Sequence, residues 1–386
     1  MRNYIVAIDL GTSHFTGIVG ERKPDGKFFV KAHDTVLPTM AIQRGNVHNL
    51  EKTATHVNEL VAKLERRLNG GYIRKIYVSA GGQSIRTVDH KETKEIEDGV
   101  AVTNDDINSL KEQCRKFNID MLDVLDIAPA VYYVDGHKET NPVGVPGKQF
   151  DAHYKLVVGS TSIRRTIKSS IEDRAKRPIA GIVIAPLALA DAMLGKEDRE
   201  LGCALVDFGA GVTSVSIYKN GDLRHLSVIP LGSNLINKDI KTSLQLPDAE
   251  AEKLKKERGS ATYQKEDENK SVNIEMEASS REIVLNDLSA IVEGRVKEIV
   301  ENVNARISEA IDIKSLGSGI ILAGGGAELR NLPELVKEIC KVKVRQSAIH
   351  DGLVTDAGDL LGDPLYMTAI GIMLKGTENC VEEAFV

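Results

Sequence analysis

Cysteine is scarce and scattered in this 386-residue chain. Cys114, Cys203, Cys340 and Cys380 stand alone with no C-x-x-C pair. Metal binding and a disulfide frame are therefore not expected, and four reduced structural thiols in a cytosolic protein are. Cys203 falls in the apolar run Cys203-Ala204-Leu205-Val206 and reads as core. Basic excess is also missing: the formal net charge is −6, which disfavours nucleic acid or an anionic membrane surface as a bulk partner. No uninterrupted apolar run is long enough to span a bilayer. Met1-Arg2-Asn3 leads straight into a strand without an apolar leader segment, so a secretory signal is not expected.

What remains is an ordinary globular composition, 42% hydrophobic and 27% charged. The length implies two or more domains. The most informative residues are two short stretches in separate halves: Ala7-Ile8-Asp9-Leu10-Gly11-Thr12-Ser13 and Leu205-Val206-Asp207-Phe208-Gly209-Ala210-Gly211-Val212-Thr213. Each is an apolar strand ending in Asp-x-Gly, followed by small residues and a second strand. A buried strand delivers a carboxylate to its end, and glycines let backbone N–H groups approach an anion without Cβ interference. One copy would be an ordinary hairpin turn. Two copies suggest two related lobes clamping one nucleotide, with its phosphates on Gly11, Thr12, Ser13, His14, Gly209, Ala210, Gly211 and Thr213. Asp9 and Asp207 would face each other across the cleft and hold waters on a bridging Mg²⁺.

The first lobe is expected over residues 1–83, resuming over 163–195. It opens with strands Tyr4–Leu10 and Phe15–Gly20, turns at Pro24-Asp25-Gly26 and continues at Phe28–Val30. A helix over Thr53–Leu68 carries Val57, Leu60, Val61, Leu64 and Leu68 on one face and stops at Asn69-Gly70-Gly71. A strand follows over Ile73–Ala80. Residues 84–162 read as an inserted α+β module. Its capping box at Thr103–Asp106 opens a helix to about Phe117, and strands follow at Ala130–Val134 and Tyr154–Val158. A helix at Ser162–Arg174, a strand at Ala180–Ile184 and a helix at Pro186–Leu194 complete the resumed lobe. The second lobe covers 196–233 and 308–360, with an alternating strand from Val212 to Tyr218 closed at Asn220-Gly221. Between them, 234–307 reads as charged and largely helical, with a solvated, mobile loop near Gly259–Asn273. Residues 361–386 return to the first lobe through an apolar helix, Pro364–Leu374, where Gly371 suggests close helix packing.

Two further groups suit a nucleoside. Glu252 and Lys255 lie at i, i+3 on one helical face, offering a carboxylate for ribose or amine hydrogen bonds and an aliphatic stem to cover a base. Gly324-Gly325-Gly326 after the strand Ile320–Ala323 lets a ligand lie flat on the backbone.

Taken in order, these pieces resemble the actin-like ATPase fold over nearly the whole chain, an α/β architecture of two lobes. The resemblance makes the two hairpins phosphate loops, places Glu252, Lys255 and Gly324–Gly326 around adenosine, and makes Pro186–Leu194 and Pro364–Leu374 the crossing helices between lobes. The module narrows it further. Val102–Ile107, Ala128–Gly136 and Pro142–Gly147, with Arg295–Ile299 and Asp363–Tyr366, resemble FtsA, the bacterial cell-division branch of that fold. The resemblance implies ATP and Mg²⁺ as ligands and a filament-forming adaptor that links the tubulin-like protein FtsZ to the cytoplasmic membrane at the division site. It puts Arg295, with Lys297 as a neighbour, in the region that binds the FtsZ C-terminal tail. It also implies head-to-tail self-assembly and contacts with other division proteins through the module.

Several positions depart from the pattern. Ala185 stands where active members of the wider fold carry a Glu or Gln that positions water, so hydrolysis is expected to be weak or absent. His14 replaces a common lysine, and Val212 a hydroxylated residue. The tail Gly376–Val386, with Glu378, Glu382 and Glu383, has no basic face and makes a poor membrane binder; membrane contact is expected only through a C-terminal anchor not present in this chain. A catalytically active ATPase or kinase on the same fold is the competing reading, which Ala185 disfavours. A chaperone-like or pilus-associated homologue leaves the module unexplained.

Overall fold

The computed structural model describes residues 3–382 except 69, 118, 264, 266–267, 269, 277–278, 347, 350–353 and 356–357. Strands β1 (Asn3–Leu10), β2 (Phe15–Arg22) and β3 (Phe28–Val36) form an antiparallel meander, its registers running Asp9 opposite Thr16 and Val19 opposite Ala32. The small hairpin β4 (Ile42–Gln43) and β5 (Asn46–Val47) precedes helix α1 (Leu50–Arg67), whose N-cap Asn49 accepts from Lys52 N at 2.9 Å. Of the expected helical stripe of α1, Val57, Leu60, Val61 and Leu64 are fully enclosed, while Leu68 is the half-buried C-cap. Asn69, in the expected stop signal, lies outside the described residues.

The expected strand Ile73–Ala80 is two strands. β6 (Tyr72–Ile73) pairs with the C-terminal β22 (Val381–Glu382), while β7 (Ile76–Ala80) runs parallel to β1. The module follows as β8 (Arg86–Glu95), α2 (Asn104–Arg115), β9 (Leu122–Ile127), β10 (Val131–Val134), β11 (His137–Glu139) and the long β12 (Gln149–Ser160). The Thr103–Asp106 capping box is present in both directions. Next, α3 (Ser162–Lys168) ends in a π-helical turn, Ser169–Arg174, where a continuous α-helix was expected. β13 (Ile179–Ile184) then pairs parallel to β7 and leads into α4 (Ala185–Met193), with Pro186 in its first turn, where a missing N–H is harmless.

The second half repeats the plan. After α5 (Lys196–Leu201) come β14 (Cys203–Phe208), β15 (Thr213–Lys219) and β16 (Asp222–Ile229), again an antiparallel meander. Helices α6 (Asn234–Leu244) and α7 (Asp248–Arg258) follow. The segment read as largely helical also holds a hairpin, β17 (Ser271–Met276) and β18 (Ser279–Val284), whose alternation buries Ile274 and Ile283. The 26-residue α8 (Leu285–Ala310) leads to β19 (Gly319–Ala323), α9 (Leu332–Cys340), β20 (Val344–Gln346) and β21 (Val354–Thr355). The loop near Gly259–Asn273 is anchored at its start, where Ser260 and Ala261 are fully buried, Asn331 donates to Ser260 Oγ at 2.9 Å and Ala261 N donates to Arg330 O at 2.8 Å; beyond it Tyr263, Lys265, Glu268 and Lys270 are exposed, as expected. Part of that loop lies outside the described residues.

The last helix, α10 (Met367–Lys375), begins three residues later than its sequence suggests. Asp363 Oδ1 accepts from Leu365 N at 2.9 Å, holding a turn ahead of the helix. One sheet runs β13-β7-β1-β2-β3-β21. The other contains β20-β19-β14-β15-β16, the same order of parallel and antiparallel strands, and continues through β8 into the module. One apolar core fills the first lobe and reaches the facing side of the second lobe's sheet through Leu205, Leu226 and Ile321, a second lies on that sheet's other side, and the module has a third.

Candidate functional site

The two Asp-x-Gly turns meet across a cleft of about 590 Å³ between the lobes. Gly11, Thr12, Ser13 and His14 line it from the β1–β2 turn, and Gly209, Ala210, Gly211 and Val212 from the β14–β15 turn. The turns touch: a Cβ on Gly211 would stand 2.5 Å from Thr12 Oγ1. A Cβ on Gly11 would stand 2.6 Å from the His14 carbonyl, and one on Gly209 2.8 Å from that of Val212. Only glycine lets these turns close so tightly.

Their carbonyls are held on the outer side. Gly209 O accepts from Ser233 N and Ala210 O from Asn234 N, each at 2.9 Å, which docks the start of α6 on the loop. Among the described residues, the amide N–H groups of residues 11–14 and 209–212 donate to no backbone carbonyl outside the strand ladders. These amides are donors in want of acceptors at a cavity wall.

Asp9 and Asp207 stand at the strand ends on the cleft floor. Burial raises the Asp9 carboxyl to about 6, partly offset by a hydrogen bond from Ser79. Burial and then the Asp9 charge raise Asp207 to about 7. Two buried carboxylates of which one raises the pKa of the other favour a shared cation or a shared proton. Ser79 also accepts from Leu10 N at 2.7 Å. It was missed in the sequence, where the one polar residue of Ile76–Ala80 was the available signal.

At the other end of the cleft, Lys255 Nζ lies 2.9 Å and Lys256 Nζ 3.0 Å from Glu252 carboxylate oxygens, and Asn237 Nδ2 donates to Glu252. Burial opposes the Glu252 charge, but these partners outweigh it and hold the carboxyl at about 2. Lys256 has no counterpart in the sequence reading. Gly324–Gly326 follow β19 and line the same space. Gly324 has φ +82°, and a Cβ there would collide with Asp207 Oδ1. His14 lies within reach of the charges of Lys256, Glu252 and Asp363; burial first, then Lys256, lowers its pKa, against the opposing pull of Glu252 and Asp363. The Ala185 methyl lines the cleft where α4 begins.

Three sequence-derived positions lie elsewhere. Thr213 is fully buried and its Oγ1 donates to Leu231 O at 2.8 Å, so its hydroxyl serves the lobe interior, and Val212 takes the wall position instead. Arg295 and Lys297 sit on α8, outside the cleft. Arg295 is paired with Asp239 of α6 (Nε–Oδ2 2.5 Å) and with Glu298, while Lys297 is exposed.

Comparison with known proteins matches this sequence to a family. The model for "Cell division protein FtsA" matches residues 204–371, and that for "SHS2 domain inserted in FTSA" matches residues 82–158. The chain belongs to the FtsA family. FtsA of Porphyromonas gingivalis is 29% identical over 99% of this chain and 80% of its own length. The Bacillus subtilis protein is 28% identical over 97% of this chain and 83% of its own, and that of Escherichia coli K12 26% identical over 98% and 91%. Among solved structures, the PilM–PilN type IV pilus biogenesis complex superposes with TM-score 0.68 at 14% identity, covering 97% of this chain and 98% of that one. MreB5 of Spiroplasma citri bound to ADP gives 0.56 at 14%, covering 96% and 94%. These neighbours establish the actin-like ATPase fold, and FtsA membership makes this a cell-division protein. Among the described residues, no helix is long and apolar enough to cross a membrane.

Proposed function

We propose that this FtsA-family chain binds ATP with Mg²⁺ in the inter-lobe cleft and uses it to set the angle between the lobes, acting as a filament-forming adaptor between FtsZ and the cytoplasmic membrane at the division site. The observation that carries the reading is the facing pair of glycine-tight turns, with unpaired amides above two mutually repelling carboxylates. The residues fit the ligand. Backbone amides of residues 11–14 and 209–211 suit phosphate oxygens, and the glycines leave the space a Cβ would fill. Asp9 and Asp207 suit a hydrated cation, which when bound would neutralise phosphate charge. Glu252, Lys255 and Gly324–Gly326 suit the nucleoside. MreB5, of the same fold, was solved with ADP.

A ligand touching turns from both lobes favours the closed arrangement by its differential affinity. Ala185 offers no hydrogen bond to aim a water, so this protein binds nucleotide far better than it turns it over. Closed subunits then add head to tail, a heterologous contact that need not close into a ring. The module meets the next subunit and other division proteins. Arg295 and Lys297 receive the acidic-hydrophobic FtsZ tail. Calorimetry with Mg-ATP tests the core of this reading: one site per chain is expected, and heat unchanged by Asp207→Ala would remove the second turn from it.

A further inference from the structure

Away from the cleft, the module gathers a second set of polar side chains. His90 and Glu92 are two residues apart on β8 and so share one face of the sheet. In the β8–β12 register His90 stands directly opposite Tyr154. Helix α2 packs on both strands and brings Cys114 to the same place. One ligand atom each from His90, Glu92 and Cys114 lie within 4.8 Å of one another. His90 Nε2 is 2.7 Å from Glu92 Oε1. The His90 ring packs against Phe117, their centroids 4.0 Å apart and their planes tilted by 41°.

Two features go beyond an ordinary core. Cys114 is fully enclosed, and Tyr154 is only 3% exposed, yet its phenol oxygen has no hydrogen-bond partner. In the β8–β12 register the Tyr154 side chain stands on the same face of the sheet as His90 and Glu92. An unpaired buried hydroxyl is costly, and this one shares that face with two potential ligands.

We infer that His90, Glu92 and Cys114 bind a borderline divalent transition-metal ion of the Zn²⁺ class, with the Tyr154 hydroxyl as a hydrogen-bond donor beside them. An imidazole, a carboxylate and a thiolate together suit Zn²⁺ or Co²⁺; Mg²⁺ and Ca²⁺ require an all-oxygen set. Metal–ligand bonds of about 2.0–2.3 Å place tetrahedral ligands roughly 3.3–3.8 Å apart. The His90–Glu92 hydrogen bond therefore opens by less than about 1 Å, and Cys114 closes by a similar amount. Water takes the fourth position, where the Tyr154 hydroxyl finds its acceptor. The Cys114 thiol proton leaves to solvent as the ion binds. No sequence spacing announces this site, because its ligands come from a strand and a helix that only tertiary packing joins. The ion ties β8 to the end of α2 and stiffens the module without touching the cleft.

The test is a Co²⁺ titration of the chelator-stripped full chain, with Mg²⁺ in excess to occupy any all-oxygen site. One Co²⁺ per chain is expected, with a thiolate-to-cobalt charge-transfer absorption in the near ultraviolet that Zn²⁺ displaces. Cys114→Ser should abolish that absorption, and Cys203→Ser and Cys340→Ser should keep it. His90→Gln and Glu92→Gln should each weaken Co²⁺ binding at least tenfold. No charge-transfer band in the unmodified chain, or a band retained by Cys114→Ser, would overturn the inference. Should Cys114→Ser fail to fold, the variants at partly exposed His90 and Glu92 decide it: unchanged affinity in both rejects the site.

Discussion

Gly371 of α10 lies against the backbone carbonyl of Ala188 in α4, so close that any Cβ would overlap it. The two helices cross between the sheets, and their approach is set by this pair. Gly371→Val should destabilise the protein by about 3 kcal/mol or more through overpacking, and Gly371→Ala by less. Thermal unfolding of the two variants checks the order; equal melting temperatures would mean that the helices separate freely.

Asp207 gives a second expectation, with opposite signs in two assays. Burial and Asp9 raise its pKa to about 7, so near pH 8 the ligand-free protein carries a penalised charge. Asp207→Asn should raise the melting temperature of the nucleotide-free protein by several degrees. The same change should lower Mg-nucleotide affinity by at least tenfold.

Turnover should be slow. With Ala185 at the start of α4, steady-state phosphate release should stay below about 1 per second, under the range common for enzymes. Faster sustained release would favour the enzyme reading over the adaptor.

Arg295 is already engaged by Asp239 and Glu298. Arg295→Glu should weaken binding of an FtsZ tail peptide at least fivefold. Asp239→Asn, which releases the guanidinium, should tighten it. Fluorescence anisotropy with a labelled peptide reads both, and movement in the same direction would exclude Arg295 from direct contact.

Asp106 makes the module sensitive to acid. Hydrogen bonds from Lys94 (2.5 Å) and from Thr103 hold its carboxyl at about 2, below its ordinary 3.8. A depressed carboxylate contributes fully above its unfolded pKa, and the contribution fades as pH falls through the folded value. The stability gap between the unmodified chain and Asp106→Asn in urea unfolding should therefore be constant above about pH 5 and shrink between about pH 4 and pH 2. Thr103→Ala should cost about 1 kcal/mol at neutral pH.

Much of the site was legible because its chemistry is local. Asp9 and Asp207 end apolar strands, glycines follow them, and both turns fold within a few residues. Thr213 misled because alternation along β15 turned its hydroxyl inward, a matter of register that composition does not show. Lys256 was passed over because Glu252 and Lys255 already satisfied the helical spacing; the structure adds it at i, i+4. The β17–β18 hairpin hid in a charged segment, although Val272, Ile274 and Met276 alternate there. Cys114 beside His90 could not have been read at all, since residues far apart along the chain meet only through packing.

One junction joins the module to the lobe it is not inserted in. Its strand β8 meets β16 of the second lobe through the single pair Arg86 and Ser227, beside the Thr87 hydroxyl, which accepts from Leu226 N at 3.0 Å. The chain therefore enters and leaves the module through one lobe while the module leans on the other. Should the lobes rotate on nucleotide binding as proposed, this seam must shear or swing the module with it, and a small change of angle at the cleft then becomes a larger displacement of the module's far edge.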